Sequence, residues 1–335
     1  MPLWTPENMD LALWLDAADT STVTENATPV VTNWADKSGL GRNFFRSAGT
    51  VTLDPAVYNG NSAMYFDGSG AVLLAEGGIG KGAATNVRNF TVFHVAYFDP
   101  TGETDLNILR CANGLSSSSV RNAAGMTSIG YRVLDRDTYT AVNYGLPPLE
   151  GLTLTCHVTE YLNGQAYIAR DGASLANYTA LINSGATSPT PSEEIYIGAS
   201  SISGALQKFK GHICEIIAID RYITERQRLL IEGYFGHKWG IAGKFRADHP
   251  FKAAAPTLPQ ISGTVTDAAG AAAERKVRLY CRQTGEFLGE ALSSSVDGGY
   301  SVTGDGSLGE VQRIVLDDAN AGTIYNDIID RVIPE

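Results

Sequence analysis

Closely spaced turn signals are the feature that most constrains the fold of this chain. Asn163-Gly164 and Asp171-Gly172 bracket the β-like run Gln165–Arg170, and the run Leu152–Leu162 precedes them. An Asn-Gly pair between two such runs predicts a β-hairpin, because both central residues of a type I′ turn adopt positive φ. The 335 residues include 36 glycines and only 18% charged residues, which favours an all-β protein of short strands and many turns.

Three further segments predict strands, and one predicts a helix. Asn89–Phe98 alternates between its two faces, Ile195–Gly198 is β-like, and Gly211–Ile219 is so apolar that we expect it to be buried. Thr224–Gln227 matches a capping box, in which the Thr hydroxyl accepts from the third helical amide and the Gln side chain reaches back. Gly240 predicts the end of this helix.

A linker is predicted at Phe251–Pro259, where small residues and two prolines cannot hold a helix or a central strand. We therefore expect a first domain at residues 1–252, a linker at 253–259 and a second domain at 260–335. Short strands between turns predict that the second domain is a small β-sandwich. Its predicted strand segments are Ile261–Val265, Lys276–Arg282, Ser301–Thr303, Arg313–Leu316 and Ile328–Ile333.

Four segments of the first domain stand out in combination. They are Leu13–Asp19, Trp34–Gly39, Tyr65–Gly68 and the strand–helix element Gly211–Phe251. Together they resemble the LamG-like, concanavalin A-type jelly-roll domains of bacteriophage virion proteins, over roughly residues 3–252. The resemblance implies an all-β, concanavalin A-like (LamG) jelly-roll sandwich with one short helix, in which two stacked sheets carry binding loops at their ends.

The second domain carries its own resemblance. The segments concerned are Ile261–Val265, Arg275–Tyr280, Thr284–Glu286, Asp297–Tyr300 and Val315–Asp318. They resemble the small Ig-like, or carboxypeptidase-regulatory-like, β-sandwich that is often found at the C-terminal end of phage tail and surface proteins. The resemblance implies an Ig-like fold for residues 260–335.

Charge and the first residues narrow the range of partners. The formal net charge of −11 argues against nucleic acid or an anionic membrane as a partner. Met1–Pro6 has neither the basic nor the apolar region of a signal peptide, and no apolar stretch reaches the roughly 18 residues that span a membrane. We therefore expect a protein made in the host bacterial cytoplasm and, from the resemblance, located in the virion.

The sequence lacks the catalytic motifs that would suggest an enzyme. Neither a G-x-S-x-G nucleophile elbow nor an H-E-x-x-H zinc motif occurs. Some jelly-roll glycosidases carry an E-x-D-x-x-E strand, but the nearest match, Glu103–Ile108, lacks the second Glu. We predict no catalytic residues, no organic cofactor and no enzymatic activity.

Calcium is a candidate cofactor because concanavalin-type folds often bind it at rim loops through carboxylate and carbonyl oxygens. The candidate ligands are Asp16, Asp19, Asp36 and Asp67. The alternative is that each carboxylate caps a turn by accepting hydrogen bonds from nearby backbone.

The five histidines lie far apart in the sequence, and we expect them to be hydrogen-bonded structural residues. They are His94, His157, His212, His237 and His249.

Three tyrosines are candidates for a binding surface. Tyr131, Tyr139 and Tyr144 fall in a loop-like stretch, where exposed tyrosines can stack on sugars or contact a neighbouring protein.

The four cysteines are expected to be free thiols, most of them buried.

Three function hypotheses follow. The leading one is a non-enzymatic structural protein of a phage particle, as a capsid decoration or a tail or fibre component. It would bind capsid or tail proteins and be displayed in many copies or as a homo-oligomer. The alternative is a carbohydrate-binding adhesin that recognises host surface glycans. The third is a glycan-degrading enzyme, which needs two carboxylates about 5–9 Å apart.

Overall fold

The computed structural model of the chain divides into two compact units. The larger is Asp10–Ala254, and the smaller combines Met1–Met9 with Ala255–Glu335. The structure describes all residues except 1–2, 77–88, 102–104, 113–119, 128–129, 135–140, 144–150, 161–164, 181–193, 200–207, 222, 259, 268, 282–286, 304–310, 317–325 and 333–335. It gives the backbone alone at 76, 105–107, 110–112, 120–127, 130–134, 141–143, 176–180, 281 and 326–332.

Two antiparallel sheets build the larger unit. The strands of the first sheet are β1 (Leu13–Asp16), β5 (Val51–Tyr58), β6 (Asn61–Asp67), β8 (Asn89–Phe98), β13 (Leu152–Glu160), β14 (Gln165–Arg170), β15 (Ala176–Ala180) and β17 (Lys210–Ile219). We call it the helix-bearing sheet, because a helix packs on its outer face. Its strand order is β15-β14-β13-β8-β17-β6-β5, and β1 also pairs with β17.

The strands of the second sheet are β2 (Val23–Glu25), β3 (Val31–Trp34), β4 (Phe44–Ala48), β7 (Val72–Glu76), β9 (Asp105–Ala112), β10 (Val120–Thr127), β11 (Gly130–Leu134), β12 (Ala141–Asn143) and β16 (Glu194–Ile197). Their order in the sheet is β12-β11-β10-β9-β16-β7-β4-β3-β2. Short 3₁₀ turns lie at Pro6–Asn8, Thr20–Thr22 and Ala242–Lys244.

A shared apolar core joins the two sheets. Side chains alternate across each strand, so every second residue of both sheets points into the space between them. Leu15 and Ile216 of the helix-bearing sheet lie in one fully buried cluster with Trp34, Phe44 and Ile195 of the second sheet. The larger unit is therefore a β-sandwich.

Local turn and strand signals were good predictors of these elements. Asn89–Phe98 and Gln165–Arg170 form strands with the predicted bounds. Asp171 and Gly172 have φ values of 49° and 70°, the left-handed conformation that the turn signal implies. The Asn163-Gly164 turn lies outside the described residues.

Helix α1 (Glu225–Lys238) begins with the predicted capping box. The Gln227 amide donates to Thr224 Oγ1 at 3.2 Å, and the Thr224 amide donates to Gln227 Oε1 at 2.9 Å. The helix ends before Gly240, whose φ of 72° suits glycine. Phe235 packs on Phe93 of β8 with ring centroids 6.4 Å apart, so α1 covers the outer face of the helix-bearing sheet.

A β-bulge in β17 turns Glu215 toward the helix. Ile213 of β17 pairs with Ala96 of β8, and both belong to the core between the sheets. The next pair joins Glu215 to Val95, so Cys214 is an extra residue between them. Without this residue, position 215 would share the inner face with Ile213.

Glu215 is fully buried and accepts hydrogen bonds from four side chains. Its Oε1 accepts from the Trp14 indole at 2.7 Å and from the Tyr234 hydroxyl at 3.0 Å. Its Oε2 accepts from the Trp239 indole at 2.8 Å and from the Lys238 ammonium at 2.7 Å. Trp14 belongs to β1 and the other donors lie on or beside α1, so this carboxylate holds the helix on the sheet.

The Lys238 ammonium joins two buried carboxylates. It lies 2.7 Å from Glu215 Oε2 and 2.6 Å from Asp16 Oδ1. Burial and the Asp16 carboxylate raise the pKa of the Glu215 carboxyl, whereas the Lys238 charge lowers it. The Glu215 carboxylate and the Lys238 ammonium are therefore ion-paired and hydrogen-bonded inside the protein. A buried charge is tolerated only under this condition.

A two-residue hairpin fastens β5 and β6 to the end of α1. Tyr58 pairs with Asn61, and Asn59 and Gly60 between them have φ values of 50° and 80°, as a type I′ turn requires. The side-chain amides of Asn59 and Asn61 donate to the Lys238 carbonyl at 3.0 and 2.8 Å. They satisfy a carbonyl at the helix end, where intrahelical partners run out.

The smaller unit is a second, smaller sandwich. Its strands are β18 (Gln260–Thr264), β19 (Lys276–Cys281), β20 (Phe287–Leu292), β21 (Gly299–Thr303), β22 (Val311–Leu316) and β23 (Asn326–Val332). A two-stranded sheet pairs β18 with β21, and a four-stranded sheet has the order β20-β19-β22-β23. The core cluster joins Ile261 and Val302 of the two-stranded sheet to Val277 and Val311 of the four-stranded sheet.

The observed division differs from the expected domains at the N-terminus. The boundary between residues 254 and 255 falls inside the linker predicted at 253–259. Residues 1–9, expected in the first domain, belong with the smaller unit, because Leu3 pairs with Thr257 and the Trp4 amide donates to the Pro256 carbonyl at 3.0 Å. The mostly-β architecture with one α-helix in the described residues is confirmed, while the concanavalin A-like and Ig-like assignments stay predictions.

Replacement of Glu215 by Ala is expected to destabilise the larger unit by about 3–5 kcal/mol, because two indole N–H groups and the Lys238 ammonium lose a buried acceptor. Urea unfolding followed by tryptophan fluorescence measures the change. Asp248→Ala is the control, since Asp248 is 78% exposed and its pair with Arg246 contributes less than about 1 kcal/mol. Equal effects of the two substitutions would contradict the role assigned to Glu215.

Candidate functional site

Three aromatic side chains lie side by side on the outer face of the helix-bearing sheet. His212 of β17 pairs with Tyr65 of β6 on one side and with Tyr97 of β8 on the other. The His212 ring centroid lies 5.0 Å from that of Tyr65 and 6.1 Å from that of Tyr97. All three are partly exposed. We call these residues, together with Tyr58 and Asp54 of β5, the aromatic platform.

Two hydrogen bonds fix the His212 ring in this row. Its Nε2 lies 3.0 Å from Asp54 Oδ2, and its Nδ1 lies 3.2 Å from the Tyr58 hydroxyl. With a neutral ring, the arrangement assigns the proton to Nε2, which donates to the carboxylate, while Nδ1 accepts from Tyr58. The Asp54 side chain is 40% exposed, so this carboxylate is accessible to a ligand.

The backbone beside the platform is irregular. The pairing of β5 with β6 shifts register between Asp54 and Tyr58, and Ala56 in that stretch has a φ of 55°. A positive φ is costly for a residue with a Cβ and persists where the surroundings hold it. The irregularity returns the chain to the sheet at Tyr58, whose ring meets His212 edge-on at 5.5 Å. Burial raises the pKa of the Tyr58 hydroxyl, which therefore stays protonated as a donor.

Charged and hydroxyl groups border the platform. Lys210, two residues before His212 on β17, lies 3.1 Å from Asp99 Oδ2 and donates to Thr101 Oγ1 at 2.6 Å. Alternation along the strand places Lys210 on the same face as His212. The aromatic surface thus has hydrogen-bonding groups along one edge.

The four calcium candidates fall into two places. Asp67 pairs with Lys210 on the helix-bearing sheet, whereas Asp16 pairs with Glu215, five residues away along β17 or about 17 Å. Asp67 accepts from the Ser69 amide at 2.8 Å, which is the turn-capping alternative.

Asp16 and Asp19 do come together, but around a lysine. The Lys37 ammonium lies 3.2 Å from Asp16 Oδ2 and 2.7 Å from Asp19 Oδ2. Asp36 caps its own turn, accepting from the Ser38 amide at 2.9 Å. In the described part of the chain, no group of three or more His, Cys, Asp or Glu side chains could hold a metal ion.

The tyrosines predicted as a binding surface cannot be placed fully. Tyr131 lies on β11, where the backbone alone is described, and Tyr139 and Tyr144 lie outside the described residues, as does Glu103. The platform tyrosines were not among the sequence candidates. A signal was present, since Tyr97 occupies an outward position of the predicted strand Asn89–Phe98.

The histidines are only partly the satisfied structural residues that the sequence suggested. His237 Nε2 lies 2.7 Å from the Phe251 carbonyl, and His249 Nε2 lies 3.2 Å from Glu232 Oε2. His94 differs, because its Nδ1 is buried without a hydrogen-bond partner in the described part of the chain.

His94 and His157 form a buried stacked pair between the two sheets. Their Nε2 atoms are 3.3 Å apart, and their ring centroids are 5.4 Å apart. Burial, and then the neighbouring His157, lower the pKa of His94, and burial lowers the pKa of His157 to about 3. Both rings are therefore neutral in the folded protein at neutral pH.

Two of the predicted free thiols are described. Cys156 and Cys214 are free and buried, and burial raises the pKa of both thiols, so neither is a reactive thiolate at neutral pH. In the described residues, no helix is long and apolar enough to cross a membrane.

No family model and no curated protein matches this sequence. Among solved structures, the chain is similar to Trypanosoma rangeli sialidase in complex with sialic acid, at 16% identity and a TM-score of 0.45, over 64% of this chain and 31% of the sialidase. It therefore spans about a third of the sialidase's length.

Two further similarities are to toxin domains. One is the binding domain of botulinum neurotoxin DC in complex with SialylT, at 11% identity and a TM-score of 0.46, over 97% of this chain and 69% of that one. The other is the botulinum neurotoxin serotype C1 binding domain, at 11% identity and a TM-score of 0.46, over 96% of this chain and 72% of that one.

The buried histidine pair predicts an acid-sensitive larger unit. Unfolding exposes both rings, whose pKa then returns to about 6.5, so the unfolded state binds protons that the folded state excludes. The free energy of unfolding should be constant with respect to these groups above about pH 7. It should fall below about pH 6.5, by up to about 1.4 kcal/mol per pH unit for each histidine, until the folded pKa is reached.

Urea unfolding from neutral pH to about pH 4 measures this slope, and the double variant His94→Leu/His157→Leu should flatten it. Phe45→Leu is the control, because Phe45 is 58% exposed and carries no titratable group, so the slope should stay unchanged. An unchanged slope in the double variant would show that other groups cause the acid sensitivity.

Proposed function

We propose that this protein is a carbohydrate-binding adhesin that holds glycans on the aromatic platform and performs no chemistry on them. The observation that carries the proposal is the placement of Tyr65, His212 and Tyr97 at paired positions on three neighbouring strands. Aromatic rings pack against the C–H face of a sugar, while tyrosine hydroxyls and a carboxylate bind its hydroxyl groups.

The platform is organised before any ligand arrives. The three rings stand on strands, and Asp54 and Tyr58 hold the His212 ring from both sides. A ligand therefore orders few side chains on binding, which limits the entropy cost. Side chains on rigid strands are also held in position more precisely than side chains on loops.

The dimensions favour an oligosaccharide over a single sugar. Three adjacent strands span two strand spacings, about 10 Å, before the width of the outer rings is added. The polar edge at Lys210, Asp99 and Thr101 offers hydrogen-bonding groups to a sugar that extends beyond the rings.

Location in a phage virion stays a prediction from the sequence resemblance. The two roles are compatible, since a glycan-binding protein displayed in many copies binds a glycan-coated surface by multivalency even when each contact is weak. Glycan binding at the platform does not depend on whether the protein is part of a phage particle.

Substitution of Tyr65 or Tyr97 by Ala should weaken glycan binding by about threefold to tenfold, because each ring contributes stacking beyond its buried area. The measurement is biolayer interferometry of the full chain against immobilised neutral and sialylated oligosaccharides. The bound oligosaccharide should be recovered intact by mass spectrometry after prolonged incubation.

Phe45→Ala is the matched control, because Phe45 is an aromatic residue of the second sheet that is 58% exposed. It should leave binding unchanged. The proposal fails if the wild-type chain binds none of the oligosaccharides, or if loss of Phe45 weakens binding as much as loss of Tyr65.

A further inference from the structure

A second concave site lies on the same sheet face, at the opposite end of α1 from the platform. It is a cleft of about 260 Å³ over β8, β13 and β14. Its polar lining includes Asn89, Thr91, Glu160 and Glu225, and Tyr167 supplies an aromatic wall.

Strand register explains why these side chains converge. Asn89 pairs with Glu160 across β8 and β13. Two residue pairs further along, Val158 stands between Thr91 and Tyr167. Burial and the Glu160 carboxylate raise the pKa of the Tyr167 hydroxyl, which donates to the Gln165 side chain. The tyrosine is thus held in place as a neutral wall beside a carboxylate.

The first turn of α1 closes the other side of the cleft. Thr224 and Glu225 line it there, and Arg228 lies buried beneath them. The Arg228 guanidinium donates to Glu225 Oε2 at 2.8 Å and also to Glu232. Arg228, which supplies the guanidinium in the lining, is therefore ion-paired with two carboxylates of α1.

The charge of the cleft selects among ligands. Its charged lining residues are two carboxylates, Glu160 and Glu225, and one guanidinium, that of Arg228. Both carboxylate oxygens of Glu225 bond to Arg228, so the lining carries one net negative charge, which repels an anionic ligand and attracts a cation. The face of Tyr167 also attracts a cation.

The volume selects a small ligand. At about 30 Å³ per water molecule, the cleft holds about nine waters, a space comparable to one six-membered sugar ring with its hydroxyl groups. Val158, Leu175 and Ile223 add apolar lining to the Tyr167 wall. An apolar and aromatic lining with a few hydrogen-bonding side chains is the usual composition of a small-molecule site.

We propose that this cleft is a second ligand site, which binds one sugar unit and prefers an amino sugar to a neutral one and a neutral one to an acidic one. The site needs no contribution from the aromatic platform. It extends the proposed function but can fail or succeed separately from it.

The test is titration of the full chain with glucosamine, N-acetylglucosamine and N-acetylneuraminic acid at millimolar concentrations, by saturation-transfer NMR and calorimetry. Glucosamine should bind at least about threefold more tightly than N-acetylneuraminic acid, the size expected for one exposed charge contact. Glu160→Gln should bring glucosamine and N-acetylglucosamine to equal affinity. Tyr167→Ala should weaken both by at least about threefold.

Tyr65→Ala separates the two sites. It should leave binding of the single sugars unchanged while weakening oligosaccharide binding. If Tyr65→Ala removes single-sugar binding and Tyr167→Ala does not, the sugars bind at the platform, and the cleft proposal is overturned while the proposed function stands. Failure of all three sugars to bind, or tightest binding of the acidic sugar, also overturns the cleft proposal, whatever the result with oligosaccharides.

Discussion

A carboxylate without access to water is the constraint on which the larger unit depends. Glu215 reaches the helix side of its sheet only because Cys214 is an extra residue in β17. Once there, the charge must be satisfied by protein donors, and Trp14, Trp239 and Lys238 provide them from both sides of the interface. Apolar contacts alone would let α1 slide over the sheet, whereas the three directional hydrogen bonds from Tyr234, Lys238 and Trp239 allow one position. The ends of the helix, and hence the surfaces beside them, are fixed by this one residue.

The neighbouring acidic turn shows how a protein can fill a cation position with its own side chain. The Lys37 ammonium contacts Asp16 and Asp19 and lies 4.3 Å from the centre of the Trp14 ring. Hydrogen bonds and the charge of Lys37 lower the pKa of Asp19, so the contact persists under mild acid. The grouping of carboxylates that suggested calcium from the sequence is therefore part of an internal network that closes the turn.

Sequence patterns predicted the elements whose cause is local. The capping box at Thr224 and the strand Asn89–Phe98 follow from residues a few positions apart. The platform could not be derived in this way, because Tyr65, Tyr97 and His212 become neighbours only through the register of three strands. The bulge was also hidden, since Cys214 sits in a run that reads as an uninterrupted apolar strand. The Asn59-Gly60 hairpin, by contrast, carries the same dipeptide signal that was used elsewhere in the chain, so it was predictable in principle.

Strand β8 passes through three environments on its outer face. Thr91 lines the cleft, Phe93 packs against Phe235 of the helix, and Tyr97 belongs to the platform. Thr91 and Tyr97 are six positions apart, which is about 20 Å along an extended strand. The helix therefore acts as a spacer of defined length between two surfaces on one rigid body. A short chain can occupy only one surface at a time, whereas a longer or branched chain can bridge both, with the second contact formed at high effective concentration. The protein would then bind longer glycans with higher avidity than shorter ones.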